Sequence, residues 1–521
     1  MTETKYLYGA AVQGIQSFIF QTNELRDIVG ASELVEQICT TAFEDFGKDG
    51  ENGEAVVTAA GNIKFIFNNR EDCEKAVMYF PKTVMEMAPG ITISQAVVKM
   101  EGECYSQGVY PDFKRAVDEL ESRLRTQRNK PMPSLTLGLM AFERNRKTGL
   151  PAVDTITNED SKEIEYIDNS TLNKKDLYYK AINGDESIGK KSLSEKAFGH
   201  KLHKDEYPSD IKDITTKNDW IAIIHADGNG LGKVIQAIGK NNKDLHNFSK
   251  NLDSATKSAA QHAYDQLYRD EEYIEQYKIA KTQVLPIRPV VLGGDDFTMI
   301  CRADFAIDYT KEFINEFEKE TKEKVGDILK KYNLDDKLTA CAGIAFIKSS
   351  FPFHYGYRLA ESLCEAAKKD AKSINKALAP SCVMFHKVQD SFITEYEDII
   401  ERELTPTKGV SWKFGPYYLN EIEDRWSIDK LLNHVKSLDS EEGNAVKSSI
   451  RQWLSAMHRQ DGYAEQLLSR ATKIASGKRA KDTLKAATTY TIRAEKDNIK
   501  IKTYPAYDIL SLHSVIYQET K

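Results

Sequence analysis

Apolar residues first gather in short runs bounded by polar and glycine-containing stretches. From Tyr6 these runs are YLYGAAV, EAVVTAAGNIKFIF and ITISQAVV, and they predict strands. Helical patterns fill the spaces between them, one through Cys39, one after Arg70 and one after Tyr110. From Trp220 the same order returns: WIAIIHA, helices through Tyr268, RPVVLGGDDFTMI, a helix after Asp304, LTACAGIAFI and a helix from Tyr357. The chain therefore holds two copies of one unit. Strand, helices, hairpin, helix, strand, helix is the order of a palm, a ferredoxin-like antiparallel sheet with helices on one face. The predicted fold class is α+β, with two ferredoxin-like palm domains and an α-helical C-terminal domain.

The expected divisions are a first palm over 1–154, a polar linker or insertion over 155–215, a second palm over 216–390 and the helical domain over 391–521. The linker reading rests on poor periodicity and high polarity in TITNEDSKEIEYIDNSTLNKKDLYYK and the residues after it. In the last region Ile450, Trp453, Leu454 and Met457 form an apolar stripe that predicts a packed helix. Lys447, Arg451, Arg459, Arg470, Lys473, Lys478, Arg479, Lys481 and Lys485 make this region locally basic, which reads as a solvated face before an RNA or partner contact.

At 521 residues and 41% hydrophobic content, the chain can build several cores. A net charge of −7 excludes a wholly basic surface, so any nucleic-acid contact is local or made through a partner. No stretch approaches the roughly 18 apolar residues of a membrane span, and the N-terminus lacks the pattern of a signal peptide. A cytoplasmic protein without membrane contact is expected. Seven scattered cysteines with no C-x-x-C pair suggest reduced core residues.

Overlaying the copies changes the picture most. VVTAAGNIKF is set on VVLGGDDFTM and AAVQGIQ beside IIHADGN, and Gln13, Gly61 and Asn62 are read as standing where the second copy has Asp227, Asp295 and Asp296. All three carboxylates are confined to the second copy. Gly293 and Gly294 permit a tight hairpin turn and close approach of a triphosphate, and Asp227 ends the neighbouring strand on the same edge. Three acids there repel one another unless divalent cations bridge them to phosphate, which predicts a site for two Mg2+ or Mn2+ ions with ATP as substrate. Asp227 is followed by GNGLGK, a loop opening a helix, whose backbone N–H groups suit polyphosphate. Gly228, Asn229, Gly230, Gly232 and Lys233 are the candidate phosphate-binding residues, and Lys368 in AESLCEAAK is placed to reach a terminal phosphate. His225 is expected in the core. His354 is left open between a structural and a nucleotide-contacting role.

HADGNGLG, LGGDD and the helix A-x-x-x-x-x-A-A-K resemble the palm of class III nucleotidyl cyclases and GGDEF-type diguanylate cyclases. With GIQSFIFQTNELRDIVGASELVE at the first palm, the chain is more closely similar to the large polymerase/cyclase subunit of type III CRISPR effector complexes, over roughly residues 5 to 390. The resemblance implies palms that face each other, ATP bound at both, and cyclic oligoadenylate made as a second messenger in antiviral defence. It implies metal ligation and catalysis by Asp227, Asp295 and Asp296, a turn shaped by Gly293 and Gly294, and phosphate contact by Lys368. Gly61 and Asn62 would line the other nucleotide site without metal. Implied partners are other subunits of an RNA-guided complex with guide and target RNA; a stand-alone or homo-oligomeric form is also compatible.

Two departures qualify this. No His is followed by Asp, so the nuclease domain that opens many such proteins is not expected, and FERNRKTGLPAVD (142–154) resembles a zinc-knuckle loop without its cysteines. The alternatives are a catalytically quiet scaffold that keeps GGDD as a nucleotide site, and an enzyme with another nucleotide product. Retention of every acid in the second copy favours the enzyme. No G-x-S-x-G elbow points to another chemistry.

Overall fold

Four strands build the first sheet: β1 (Lys5–Gln13), β2 (Gly53–Ala59), β3 (Asn62–Phe67) and β4 (Thr92–Met100), in the order β2-β3-β1-β4 and antiparallel throughout. A small antiparallel hairpin, β5 (Ala152–Thr157) and β6 (Ile164–Asp168), follows. The order of the first sheet returns in β7 (Trp220–Gly228), β8 (Ile287–Gly293), β9 (Asp296–Arg302) and β10 (Ala340–Lys348), arranged β8-β9-β7-β10. Both hairpins carry a register shift at the same place, between Ala55 and Val57 and between Pro289 and Val291. A shared bulge supports the internal repeat, because a bulge is a local feature set by the chain's geometry.

This computed structural model describes residues 4–59, 61–101, 109–130, 140–157, 164–185, 191–215, 219–271, 274–275, 284–390, 395–459, 462–494 and 500–517. Its main helices up to residue 374 are α1 (Leu25–Cys39), α2 (Arg70–Met87), α3 (Phe113–Arg128), α4 (Asn169–Asn183), α5 (Leu231–Ile238), α6 (Asn242–Arg269), α7 (Ala306–Lys331) and α8 (Phe353–Ile374). β7 and β10 are buried along nearly their whole length, which explains why they read as continuous apolar runs and not as alternation. No described helix is long and apolar enough to cross a membrane. Cys104 lies outside the described residues; the other six cysteines are buried free thiols.

The two palms pack reciprocally. α1 of the first packs on β8 of the second, and α6 of the second packs on β2 of the first. Asn23 accepts the Phe353 N–H at the start of α8 (2.8 Å), while Asn242 at the start of α6 accepts that of Tyr110 (3.4 Å), just ahead of α3. The Phe20 ring lies 5.2 Å from Phe353 and 4.3 Å from Tyr357, so aromatic surface seals the boundary on the α8 side.

Two expectations need correction and a third is narrowed. The second sheet is mixed and has six strands, because β11 (Cys382–Lys387) adds parallel to β10 and, beyond β12 (Val410–Ser411), β13 (Tyr417–Tyr418) pairs with β11. Of the two forms expected for the stretch 155–215, a linker or an insertion, the described residues take the second. α4 packs on α1 so closely that a Cβ at Gly30 would overlap the Lys174 carbonyl oxygen, and the Lys174 ammonium donates to the Phe18 carbonyl (2.8 Å). Asp168, capping α4, also accepts from Asn145 (2.7 Å) and Thr148 (2.8 Å), which ties the 142–154 loop to it. Lastly, the C-terminal region adds a three-stranded sheet, β12 with β14 (Thr491–Ala494) and β15 (Lys500–Thr503), to its helices. Ile450, Trp453 and Leu454 are buried there and Met457 is partly buried, as the apolar stripe predicts.

Candidate active site

Asp295 and Asp296 sit at the tip of the β8–β9 hairpin. Gly293 pairs with Asp296, leaving Gly294 and Asp295 as a two-residue turn, and Gly294 takes φ 63°, a conformation open to glycine without steric cost. Helix α6 holds the turn from behind: Asp253 accepts the Gly294 N–H (3.4 Å) and the Thr256 hydroxyl donates to the Gly294 carbonyl. Asp227 lies at the end of β7. Its neighbour Ala226 pairs with Phe297, so the ladder carries Asp227 to the position opposite Asp296. One carboxylate oxygen from each of Asp227, Asp295 and Asp296 lies within 4.8 Å of the others, the one such cluster of potential metal ligands among the described residues.

The same ladder corrects the overlay of the copies. In the first palm Asn62 pairs with Ala11, and Gly14 takes the αL conformation that Gly230 takes in the second, each as the N-cap of the following short helix. The counterpart of Asp227 is therefore Ala11, not Gln13. The first palm lacks all three acids under either overlay.

Crowding shows in the electrostatics. Burial, followed by the charges of Asp296 and Asp227, pushes the Asp295 carboxyl well above the usual carboxylate range. Burial and the Asp227 charge raise Asp296 to about 6. Lys368, on α8, forms an ion pair with Asp227 and donates to the Gly228 carbonyl (3.1 Å). Burial opposes its charged form, and Asp227 outweighs burial, so its pKa is raised.

A cavity of about 560 Å³ adjoins the acids and is lined by the 228–233 loop, Asp227, Asp295 and Lys368. Gly230, at φ 75°, starts α5 without a capping side chain, and Leu231 and Gly232 of its first turn line the cavity. Gly228 lets Asp295 approach, since a Cβ there would stand 3.0 Å from the Asp295 Cβ. Asn229 belongs to the cavity lining and is buried. Its backbone N–H donates to the Thr339 carbonyl (2.8 Å) and its amide to Thr339, Cys341 and Ala379, so it anchors the loop and has no donor left for phosphate. Lys233 donates to the Lys376 carbonyl (3.2 Å) at the rim. Gly293, Gly294 and Asp296 shape the acidic edge outside the cavity wall, and Gly61 and Asn62 belong to the first palm's hairpin and do not line this cavity.

Sequence reasoning missed Lys372 and Lys376, which line the cavity with no ion-pair partner among the described residues. The spacing 368, 372, 376 is the visible signal, one face of a helix and its continuation. His225 is buried, its Nδ1 3.1 Å from the Thr298 hydroxyl, and burial lowers it to about 4, as a core histidine. The His354 ring lies tilted beside that of Tyr355 at the opening turn of α8.

Residues 220–377 match the family model for Cas10/Cmr2, second palm domain. Among solved structures, a Csm1–Csm4 cassette in complex with pppApA aligns at 12% identity with a TM-score of 0.56, over 99% of this chain and 69% of that one. The cassette in complex with AMPPNP aligns at 14% and 0.55, over 99% and 69%, and that with cA4 at 14% and 0.50, over 99% and 70%. No curated protein matches the chain. Residues 220–377 are thus similar to the second palm domain of Cas10/Cmr2, and the fold of the whole chain is similar to that of the Csm1–Csm4 cassette structures.

Proposed function

We propose that this protein is a nucleotidyltransferase that joins ATP through 3′-5′ bonds into cyclic oligoadenylate or a related adenylate signal. The observation that carries the reading is the meeting of Asp227, Asp295 and Asp296 beside a glycine loop and lysines. The donors are oxygen only, and the crowded carboxyls hold protons more tightly than free ones, the behaviour of a site that lacks positive charge. That donor set fits Mg2+ or Mn2+, held by the three aspartates. Bound there, such ions would acidify the attacking ribose hydroxyl and offset charge on the departing pyrophosphate.

The chain's own residues do the rest. The uncapped start of α5 and Lys368 orient a polyphosphate so that its α-phosphorus faces the acids. Lys372 and Lys376 extend positive charge along the same wall, towards the outer phosphates. Gly228 keeps Asp295 in line. The solved relatives of similar fold are Csm1–Csm4 complexes with nucleotides and oligoadenylates, which supports adenylate chemistry and a neighbouring effector subunit for this chain too.

Purified protein with magnesium or manganese and ATP, with candidate target RNA and partner subunits supplied, is expected to release pyrophosphate and form adenylate oligomers detectable by mass spectrometry. Asp295→Asn with Asp296→Asn should abolish both while thermal unfolding is unchanged or shifted upward, because two crowded charges are removed. Turnover by the double variant would show that the site is misassigned.

A further inference from the structure

Gln16 occupies in the first palm the place of Gly232 in the second, two residues beyond the αL glycine that opens the short helix. In the second palm that place is bare glycine at the cavity. In the first, the glutamine reaches across the boundary between palms: its amide donates to the Glu361 carboxylate at 2.8 Å and to the Tyr357 hydroxyl at 3.2 Å, both on α8. Tyr357 is fixed from two sides, by Phe20 of the first palm at 4.3 Å and by the ring of His225 at 5.6 Å.

Both amide hydrogens of Gln16 are committed to these two bonds. What the pair still offers is acceptors alone, the Gln16 carbonyl and the second Glu361 oxygen, neither with a hydrogen-bond partner among the described residues. Glu361 precedes Lys368 by seven residues, two turns or about 10 Å along the same face of α8. Lys368 pairs with Asp227, and the charge of Glu361 is felt at Asp296, so α8 runs past the acids with a cation at one end and acceptors at the other. A carboxylate repels phosphate. The nucleoside end of a ligand, rich in hydroxyl donors, belongs on the Glu361 side.

Resting on the nucleotidyltransferase reading, we propose that Glu361, oriented by Gln16, accepts a hydrogen bond from the ribose 2′-hydroxyl of the nucleotide whose 3′-hydroxyl reacts. The 3′-oxygen must meet the acids, and its neighbour on the ring then lies toward Glu361. Glu361 touches the nucleotide and Gln16 is a positioning residue, and together they make the site select ribonucleotides over deoxyribonucleotides.

Calorimetric titration of the whole protein in magnesium with α,β-methylene-ATP and its 2′-deoxy counterpart, neither of which can release pyrophosphate, tests this directly. Wild type is expected to prefer the ribonucleotide about tenfold, the worth of one hydrogen bond to a charged group. Glu361→Ala should bring the ratio near one, Gln16→Ala should lower it, and Glu361→Gln, which keeps an acceptor, should restore part of it. An unchanged ratio in either alanine variant, or equal loss of affinity for both nucleotides, overturns the proposal. Failure of wild type to bind either nucleotide overturns the nucleotidyltransferase reading instead.

Discussion

At Gly228 the margin is one methyl group. A Cβ there would stand 3.0 Å from the Asp295 Cβ and 3.1 Å from its Oδ2, whereas at Gly232, four residues along the same loop, nothing lies within 4 Å. Asp295 is fixed by its two-residue turn and cannot yield without displacing a carboxylate. Gly228→Ala is therefore expected to lower kcat/KM about a hundredfold, the usual effect of a misplaced reacting group, with little change in Tm. Gly232→Ala should leave the fold and Tm intact, since no neighbour resists it; circular dichroism melts with parallel pyrophosphate assays separate the two. The glycines were legible as letters, and so were the acids. Their partners were not: Ala11 replaces Gln13 as the counterpart of Asp227 only when the ladder is traced, because a strand overlay made by letters tolerates a slip that pairing does not. Asn229 shows the same limit, since nothing in GNGLGK says that its amide faces inward.

The helix α8 carries chemistry on one edge because its other face is committed to the sheet. Tyr357, Leu359, Ala360, Leu363, Cys364, Ala367 and Ala371 are buried, which leaves Glu361, Lys368 and Lys372 along the flank beside the acids. The closest approach is at Gly343 in β10, where an added Cβ would overlap the Ala360 carbonyl oxygen and crowd the Cys364 N–H. These are backbone atoms and cannot step aside. Gly343→Ala should lift α8 from the sheet, costing about 2 kcal/mol or more in urea denaturation and weakening nucleotide binding at the same time. An unchanged midpoint would show that α8 has room to move. The apolar periodicity of α8 and the continuous run of β10 were both readable. That Gly343 is the contact point was not, since a glycine inside a strand pattern also signals a bulge, and the two-residue β13 is too short to leave a pattern at all.

On the scale of the whole molecule the repeat was legible because it is written twice, in the same order and with the same bulge, while the junctions between units were not, because each depends on a few distant side chains. The C-terminal domain joins the second palm through such a junction. Asp508, buried in the last long helix Ala506–Ile516, accepts from the Tyr417 hydroxyl of β13 (2.7 Å) and from the Gly415 N–H (3.3 Å). Burial pushes its carboxyl from 3.8 up to about 7, against those hydrogen bonds and the Arg493 charge, which pull it down. The unfolded chain loses this proton near the ordinary value and the folded chain only near 7, so between them the folded state binds more protons and its stability falls as pH rises. The contribution is fully present below the ordinary carboxylate range and lost through neutrality, on the order of 4 kcal/mol across the window. Glu33, buried in α1 and likewise raised to about 7 by burial, adds a fall of the same sign at the junction of the first palm with the 191–215 stretch, where it accepts the Leu193 N–H (2.9 Å). Asp508→Asn keeps the shape and an acceptor for Tyr417 but cannot titrate. Urea midpoints measured from pH 5 to pH 8 should fall less steeply in Asp508→Asn than in wild type, with the difference between the proteins growing towards pH 8; parallel profiles would mean that Asp508 is already ionised in the folded protein.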